Sequence, residues 1–273
     1  MTDIYTETRN ELIKKIIKDL ELKANEIAEI VELYYDCQSM RIAHANKERT
    51  EPPSELVEWL DFWMHAGETV IRGKLAKWVE SDDSPAEAKW AYDQIGIGPV
   101  IASGLSAYID PAKAPTVSSL WKYAGLAPGF DRKSKGTKLP YNARLKVLCY
   151  KIGESFVKVA NKDGAFYGQL YGQFKAAEIG KNESGQYAIA AKHEIETKKF
   201  SNDTATKKRL LEGKLSDAHL HARAKRKTVK LFLADYWGVS RKTRNLSVNK
   251  PYSIAILGHT GLIDNAGNFT EGD

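Results

Sequence analysis

The sequence predicts an all-α protein, in which a long antiparallel helical hairpin (a coiled-coil arm) precedes a helical domain built around a helix-hairpin-helix. Three observations carry this prediction. Apolar residues recur at spacings of three and four along most of the chain, strand-type alternation is scarce, and the charge divides the molecule in two. Residues 1–93 hold 12 Lys and Arg against 20 Asp and Glu, whereas the remaining 180 hold 29 against 15. An acidic front is joined to a basic back, and clustered cations of that kind suit a polyanion. A merely soluble basic surface is the competing reading.

From about residue 6 to 45, Leu12, Ile13, Ile16, Ile17, Leu20, Ile27, Ile30, Val31 and Tyr34 read as one long amphipathic helix with no proline in it. Pro52 and Pro53 break the pattern, and Ser54 with Glu55 and Glu58 marks a new helix start. Leu56, Leu60, Trp63, Gly67, Val70, Ile71, Leu75 and Trp78 then line one face up to the stop at 81–85. Residues 1–84 are thus expected to form an arm too thin to bury both apolar faces alone. A partner helix from a second copy would cover the rest, making a homo-oligomer; the basic half is the alternative cover.

Beyond Pro85 the helices shorten. Residues 86–95 lead into the turn Gly96-Ile97-Gly98, and 99–109 form the next helix. Gly125 terminates the helix that begins at Ser118. A non-periodic basic loop spans 127–140. Helices are expected over 141–161, 164–178, 184–200 and 215–237. Residues 85–237 form the basic domain, and 238–273 read as an extended tail with little core.

Several groups carry chemistry. Gly96 and Gly98 permit a turn that approaches a phosphate closely, and Pro99 suits the first turn of a helix whose free N–H groups attract an anion. A purely structural turn is the alternative. The loop gathers Arg132, Lys133, Lys135 and Lys138 around one hydroxyl, Ser134. Attack by a serine on phosphorus needs cations to stabilise the phosphoryl oxygens, which these side chains supply, although such a serine also suits a solvated loop. Arg223, Lys225, Arg226, Lys227 and Lys230 form a basic block that suits a phosphate backbone or a solvated face. His219 and His221 point about 200° apart on a helix and cannot share an ion, so no metal is expected. Phe166, Leu170 and Phe174 share a helical spacing that favours core over base stacking.

Composition excludes other classes. Cys37 and Cys149 lie 112 residues apart with no metal-type spacing, which favours a reducing compartment. The first residues lack an apolar signal core, and no stretch reaches the roughly 18 apolar residues of a membrane span. A cytoplasmic protein with no membrane partner and no cofactor is expected.

The order GIGPVIASGLSAYI, SSLWKYAGLAPG, basic Ser-Gly loop, NARLKVLCYKIGESF, FYGQLYGQF and HARAKRKTVKLFLADYW resembles the C-terminal transposase domain of the insertion-sequence one-ten family, the RNA-bridged DNA recombinases (transposase 20 type). The resemblance covers roughly residues 90–237, and YAGLAP after a helix-hairpin-helix is its most specific part. It implies a coiled-coil arm ahead of the domain, DNA as partner together with a structured RNA, and Ser134 as the matching nucleophile. Arg132, Lys133, Lys135 and Arg144 would position the strand. Members of the family begin with a RuvC-like domain of alternating strands and helices, a pattern this chain does not show, and Lys133-Ser134-Lys135-Gly136 departs from their paired serines and glycines. The expectation is therefore a transposase-like DNA-binding protein of a bacterial or phage-infected cell, with serine-dependent strand cleavage or transfer. A non-catalytic binder of structured DNA or RNA is its alternative, and an assembly protein working through the arm a third reading. The residues expected at nucleic acid are Gly96, Gly98, Arg132, Lys133, Lys135, Lys138, Arg144, Arg223, Arg226 and Lys227.

Overall fold

The computed structural model describes residues 3–47, 54–128, 136–201, 204–249 and 263–267. These residues are all-helical, as the periodicity predicts, with eleven α-helices, one 3-10 turn and no strand among them. The chain divides into two compact units. The first comprises residues 1–93 and 97–110, the second 94–96 and 111–273.

The first unit contains α1 (Asp3–Asp19), α2 (Ile27–Lys47), α3 (Glu55–Glu80), α4 (Ala86–Tyr92) and α5 (Pro99–Tyr108). The single helix expected over 6–45 is two. The chain leaves α1 at Leu20, and a 3-10 turn at Ala24–Glu26 restarts it, with the Glu26 carboxylate accepting the Lys23 N–H at 3.1 Å. The reason is tertiary. Arg9 lies over the Phe62 ring and Ile17 against Gly73, so α1 runs in the same direction as α3. Arg41 of α2 grips the buried Glu68 at 2.6 and 3.3 Å, and Tyr34 faces Glu68 and Arg72, so α2 runs opposite to α3. Two helices on one α3 scaffold bury more apolar surface than one continuous rod touching it along a single seam.

α4 and α5, the helices flanking the glycine turn, belong with this unit. Small α5 residues, Ala102, Ser103 and Gly104, are buried with Leu105 where α5 packs on α2 and α3. Part of the face for which a second copy or the basic half was expected is therefore covered by α5. Leu56, Trp59, Leu60 and Trp63, nearer the start of α3, stay exposed.

The second unit contains α6 (Val117–Tyr123), α7 (Ala143–Lys158), α8 (Phe166–Glu183), α9 (Ala188–Thr197), α10 (Ala205–Leu211) and α11 (Asp217–Lys242). α11 is its axis, and α6, α7 and α8 pack on it. It starts well because the Ser216 hydroxyl accepts the His219 N–H and Asp217 meets the positive helix end; Arg241 and Lys242 suit the other end. Phe156, Tyr167 and Phe232 meet with centroids 5.1 to 5.4 Å apart, the spacing of favourable aromatic pairs. Trp237 is fully buried and donates its indole N–H to the Ala114 carbonyl at 2.7 Å. α11 continues to Lys242, past the Gly238 where the tail was expected to begin, because Gly238, Ser240 and Arg241 are buried and Arg241 donates to the carbonyls of Pro111, Ala114 and Ser247.

The aromatic run at 166–174 is core as expected at Leu170, but with other neighbours. Tyr167, Leu170 and Tyr171 are buried, whereas Phe166 is partly exposed. Gly168 decides this register: a Cβ there would lie 2.7 Å from the Val159 carbonyl oxygen, so only glycine lets α8 turn this face to α7. α9 and α10 close a small second core of Ala191, Leu210, Leu215 and Leu220. Asn182, fully buried, holds it to α8 by accepting the Leu215 N–H at 2.8 Å and donating to the Leu215 carbonyl at 3.1 Å.

Candidate nucleic-acid interface

The second unit carries a cationic cleft of about 450 Å³ between the turn that follows α6 and the outward face of α11. Its wall starts with the segment YAGLAP. α6 ends in a Schellman motif, in which Leu126 donates its N–H to the Trp121 carbonyl and Gly125 to that of Lys122. Gly125 has φ +67°, and a Cβ there would lie 2.9 Å from both Lys146 and Tyr141, so glycine is needed for conformation and for space. Gly125, Leu126, Ala127 and Pro128 form one side of the cleft. Lys146, Arg223, Arg226, Lys227 and Lys230 supply its positive charge, and the Glu178 carboxylate lines it as well.

These cations fall into two kinds. Arg223 donates to the buried Glu178 carboxylate at 2.6 Å and lies 4.6 Å from the Tyr187 ring, whose hydroxyl also donates to Glu178 at 2.7 Å. Burial pushes the Glu178 carboxyl up, but the hydrogen bonds from Arg223 and Tyr187 outweigh it and leave the group below the usual carboxylate range. Lys225 is likewise spoken for by Glu154, whose carboxyl that hydrogen bond holds low. Among the described residues no carboxylate pairs with Lys146, Arg226, Lys227 or Lys230. Three of them sit on aromatic rings instead: Lys230 is 4.0 Å from the Trp121 ring centroid, Lys146 4.1 Å from Tyr141, and Lys227 4.3 Å from Phe174. Burial, and then the Arg226 guanidinium, pull Lys230 below the usual lysine range. Four neighbouring cations repel one another, and a phosphate placed among them offsets that repulsion.

A smaller recess of about 200 Å³ adjoins the cleft and shares Leu126, Lys146 and Arg226 with it. Small residues open it. Gly153 of α7 approaches Val229 of α11 closely enough that a Cβ would sit 3.4 Å from the valine methyl, and Ala222 adds no bulk opposite. Tyr150 forms its outer wall and is 62% exposed.

Of the expected residues, the structure gathers Arg223, Arg226 and Lys227 at the cleft. Lys138 and Arg144 are exposed nearby in the chain but do not line it. Gly96 is elsewhere: its φ is +103°, it lies against Phe156 and Val159, and its carbonyl accepts the Ser155 hydroxyl. Those α7 residues are about 14 to 20 Å along the helix from Lys146. Gly98 begins α5 in the first unit, its carbonyl accepting from Ile101 and Ala102. Arg132, Lys133, Ser134 and Lys135 lie outside the described residues. Lys146 and Tyr150 were missed as site residues, although they stand four apart on α7 and so share a face. Asp217 pairs with Arg209, and the His221 ring nitrogen meets the Tyr171 hydroxyl at 2.6 Å.

No group of three or more metal-binding side chains occurs among the described residues, and none of their helices is long and apolar enough to cross a membrane. No family model, curated protein or solved structure matches the chain.

Proposed function

We propose that the second unit binds nucleic acid through the α7–α11 cleft and that the protein acts on DNA as a transposase-like binding protein. The observation that carries the reading is the set of Lys146, Arg226, Lys227 and Lys230, four cations converging on one concavity with no carboxylate partner among the described residues. Structural cations on the same helix, Arg223 and Lys225, are paired. A solvated basic face has no reason to separate its charges in that way. The turn YAGLAP, the most specific part of the resemblance, forms the cleft wall, which supports placing the strand there. Serine-dependent cleavage or transfer by Ser134 is the catalytic form of the proposal. It draws support from the sequence resemblance and from the position of Pro128 at the cleft, six residues before Ser134.

The test is binding of labelled single-stranded and duplex DNA to the full chain, to the Arg226→Ala/Lys227→Ala variant and to Ser134→Ala, with the same samples run on denaturing gels. Binding weakened at least tenfold by the double substitution is expected. A covalent protein–DNA adduct that disappears in Ser134→Ala establishes the catalytic form. Salt-sensitive binding without any adduct leaves the non-catalytic binder. Equal binding by all three proteins removes the cleft from the interface.

A further inference from the structure

Resting on that reading of the cleft, we infer that the adjoining recess takes a single unstacked base, so that the second unit prefers single-stranded DNA to an intact duplex. The recess is the apolar neighbour of a cationic cleft. Leu126, Cys149, Gly153, Ala222 and Val229 line it with Tyr150, and Lys146 and Arg226 stand on the border with the cleft. A nucleotide has the same two-part chemistry, a flat apolar ring joined to an anionic phosphate. With its phosphate between Lys146 and Arg226, the attached base has the recess beside it. A paired base cannot use this space, because its face is covered by neighbours and its edge by its complement; a single strand offers both.

Tyr150 is prepared as a stacking surface. The Lys225 ammonium, itself paired with the Glu154 carboxylate, lies 5.0 Å from its ring centroid. A paired cation therefore backs the ring on one side while more than half of the residue faces solvent. Exposed aromatics held in one orientation lose little freedom on stacking a base. Trp121, Tyr141 and Phe174 serve differently, since the lysines on their faces have no carboxylate partner among the described residues and are left to meet phosphate. Tyr150 is the ring at this site with its ammonium neighbour neutralised by a carboxylate.

The experiment uses the full chain with a 12-nucleotide single strand, its matched duplex, a duplex with one bulged nucleotide, and dAMP as competitor. The single strand and the bulged duplex are expected to bind about tenfold more tightly than the matched duplex. Tyr150→Ala should abolish that preference by weakening single-strand binding about tenfold more than duplex binding, while Tyr150→Phe, which keeps the ring, should retain most of it. Irradiation of a 5-iodouracil-substituted strand should crosslink to the α7 peptide containing residue 150, and Tyr150→Ala should lose this product. Equal affinity for strand and duplex, with Tyr150→Ala neutral, overturns the inference while leaving the backbone interface standing. Competition by dAMP at the oligonucleotide's own affinity also overturns it, since that marks a free-nucleotide site. Failure of every nucleic acid to bind overturns the cleft reading and this inference together. Circular dichroism of each variant separates lost binding from lost fold.

Discussion

Arg223 and Arg226 stand three residues apart on one helix, and their environments give them opposite tasks. Removing Arg223 strands the buried Glu178 carboxylate, whose other partner is the Tyr187 hydroxyl. Arg223→Ala is expected to cost about 2 kcal/mol, short of the roughly 3 to 5 of a fully buried pair because the arginine side chain is 38% exposed. Thermal denaturation should show this as a clear fall in Tm. Arg226→Ala should leave Tm within a degree or so and weaken DNA binding instead; the reverse pattern contradicts the division. A second residue sets a pH dependence. Burial pushes the Asp235 carboxyl up to about 7, with Asp264 nearby adding to the rise and the Tyr167 hydroxyl, donating at 2.5 Å, working against it. In the unfolded chain the same group titrates near ~3.9. Between those values the folded state holds a proton that the unfolded state has released, so this contribution to stability declines as pH rises from about 4 to 7. Asp235→Asn should flatten that decline, measured as Tm across pH 5 to 8; an unchanged pH profile contradicts the assignment. None of this was legible in the sequence. Glu178 and Asp235 look like surface acids on amphipathic helices until packing shows what covers them.

At the scale of elements, periodicity located most of the helices but not where they turn. The break between α1 and α2 has no proline or glycine to announce it; both helices compete for the sides of α3, which is tertiary information. Gly168 lets α8 close on Val159, so Tyr167 and Tyr171 enter the core beside Leu170 where Phe166 and Phe174 were expected. α10 is a seven-residue helix held by a small satellite core, too short for its spacing to register. The helix end at Gly125 was legible, because a left-handed terminator leaves a residue-type signature. Its consequence was not, since the close approach of Lys146 and Tyr141 is made by residues some twenty positions away. Gly125→Ala should therefore do more than strain one φ angle. A stability loss of about 1 to 2 kcal/mol is expected from the left-handed backbone, together with weakened DNA binding as Lys146 is displaced. Chemical denaturation and binding measured on one preparation check both; a variant as stable as the wild type contradicts the tight packing at the turn.

For the molecule as a whole, the charge contrast along the sequence pointed to the basic half, and the structure brings four of its cations, Lys146, Arg226, Lys227 and Lys230, to one cleft of the second unit. What sequence could not supply was the pairing that takes Arg223 and Lys225 out of the free set, or the meeting of α7 with α11 that brings Lys146 in. Both depend on which helices touch. The glycine turn at 96–98 carried the strongest local signal and lies away from the cleft at Gly96, because its first glycine serves the packing of α7. The most direct measurement is the salt dependence of single-stranded DNA binding. Neutralising four phosphates gives a slope of about −2.8 for log K against log salt, and Arg226→Ala/Lys227→Ala should halve it to about −1.4. A slope that the double substitution leaves unchanged would contradict the cleft as the place where this protein holds its strand.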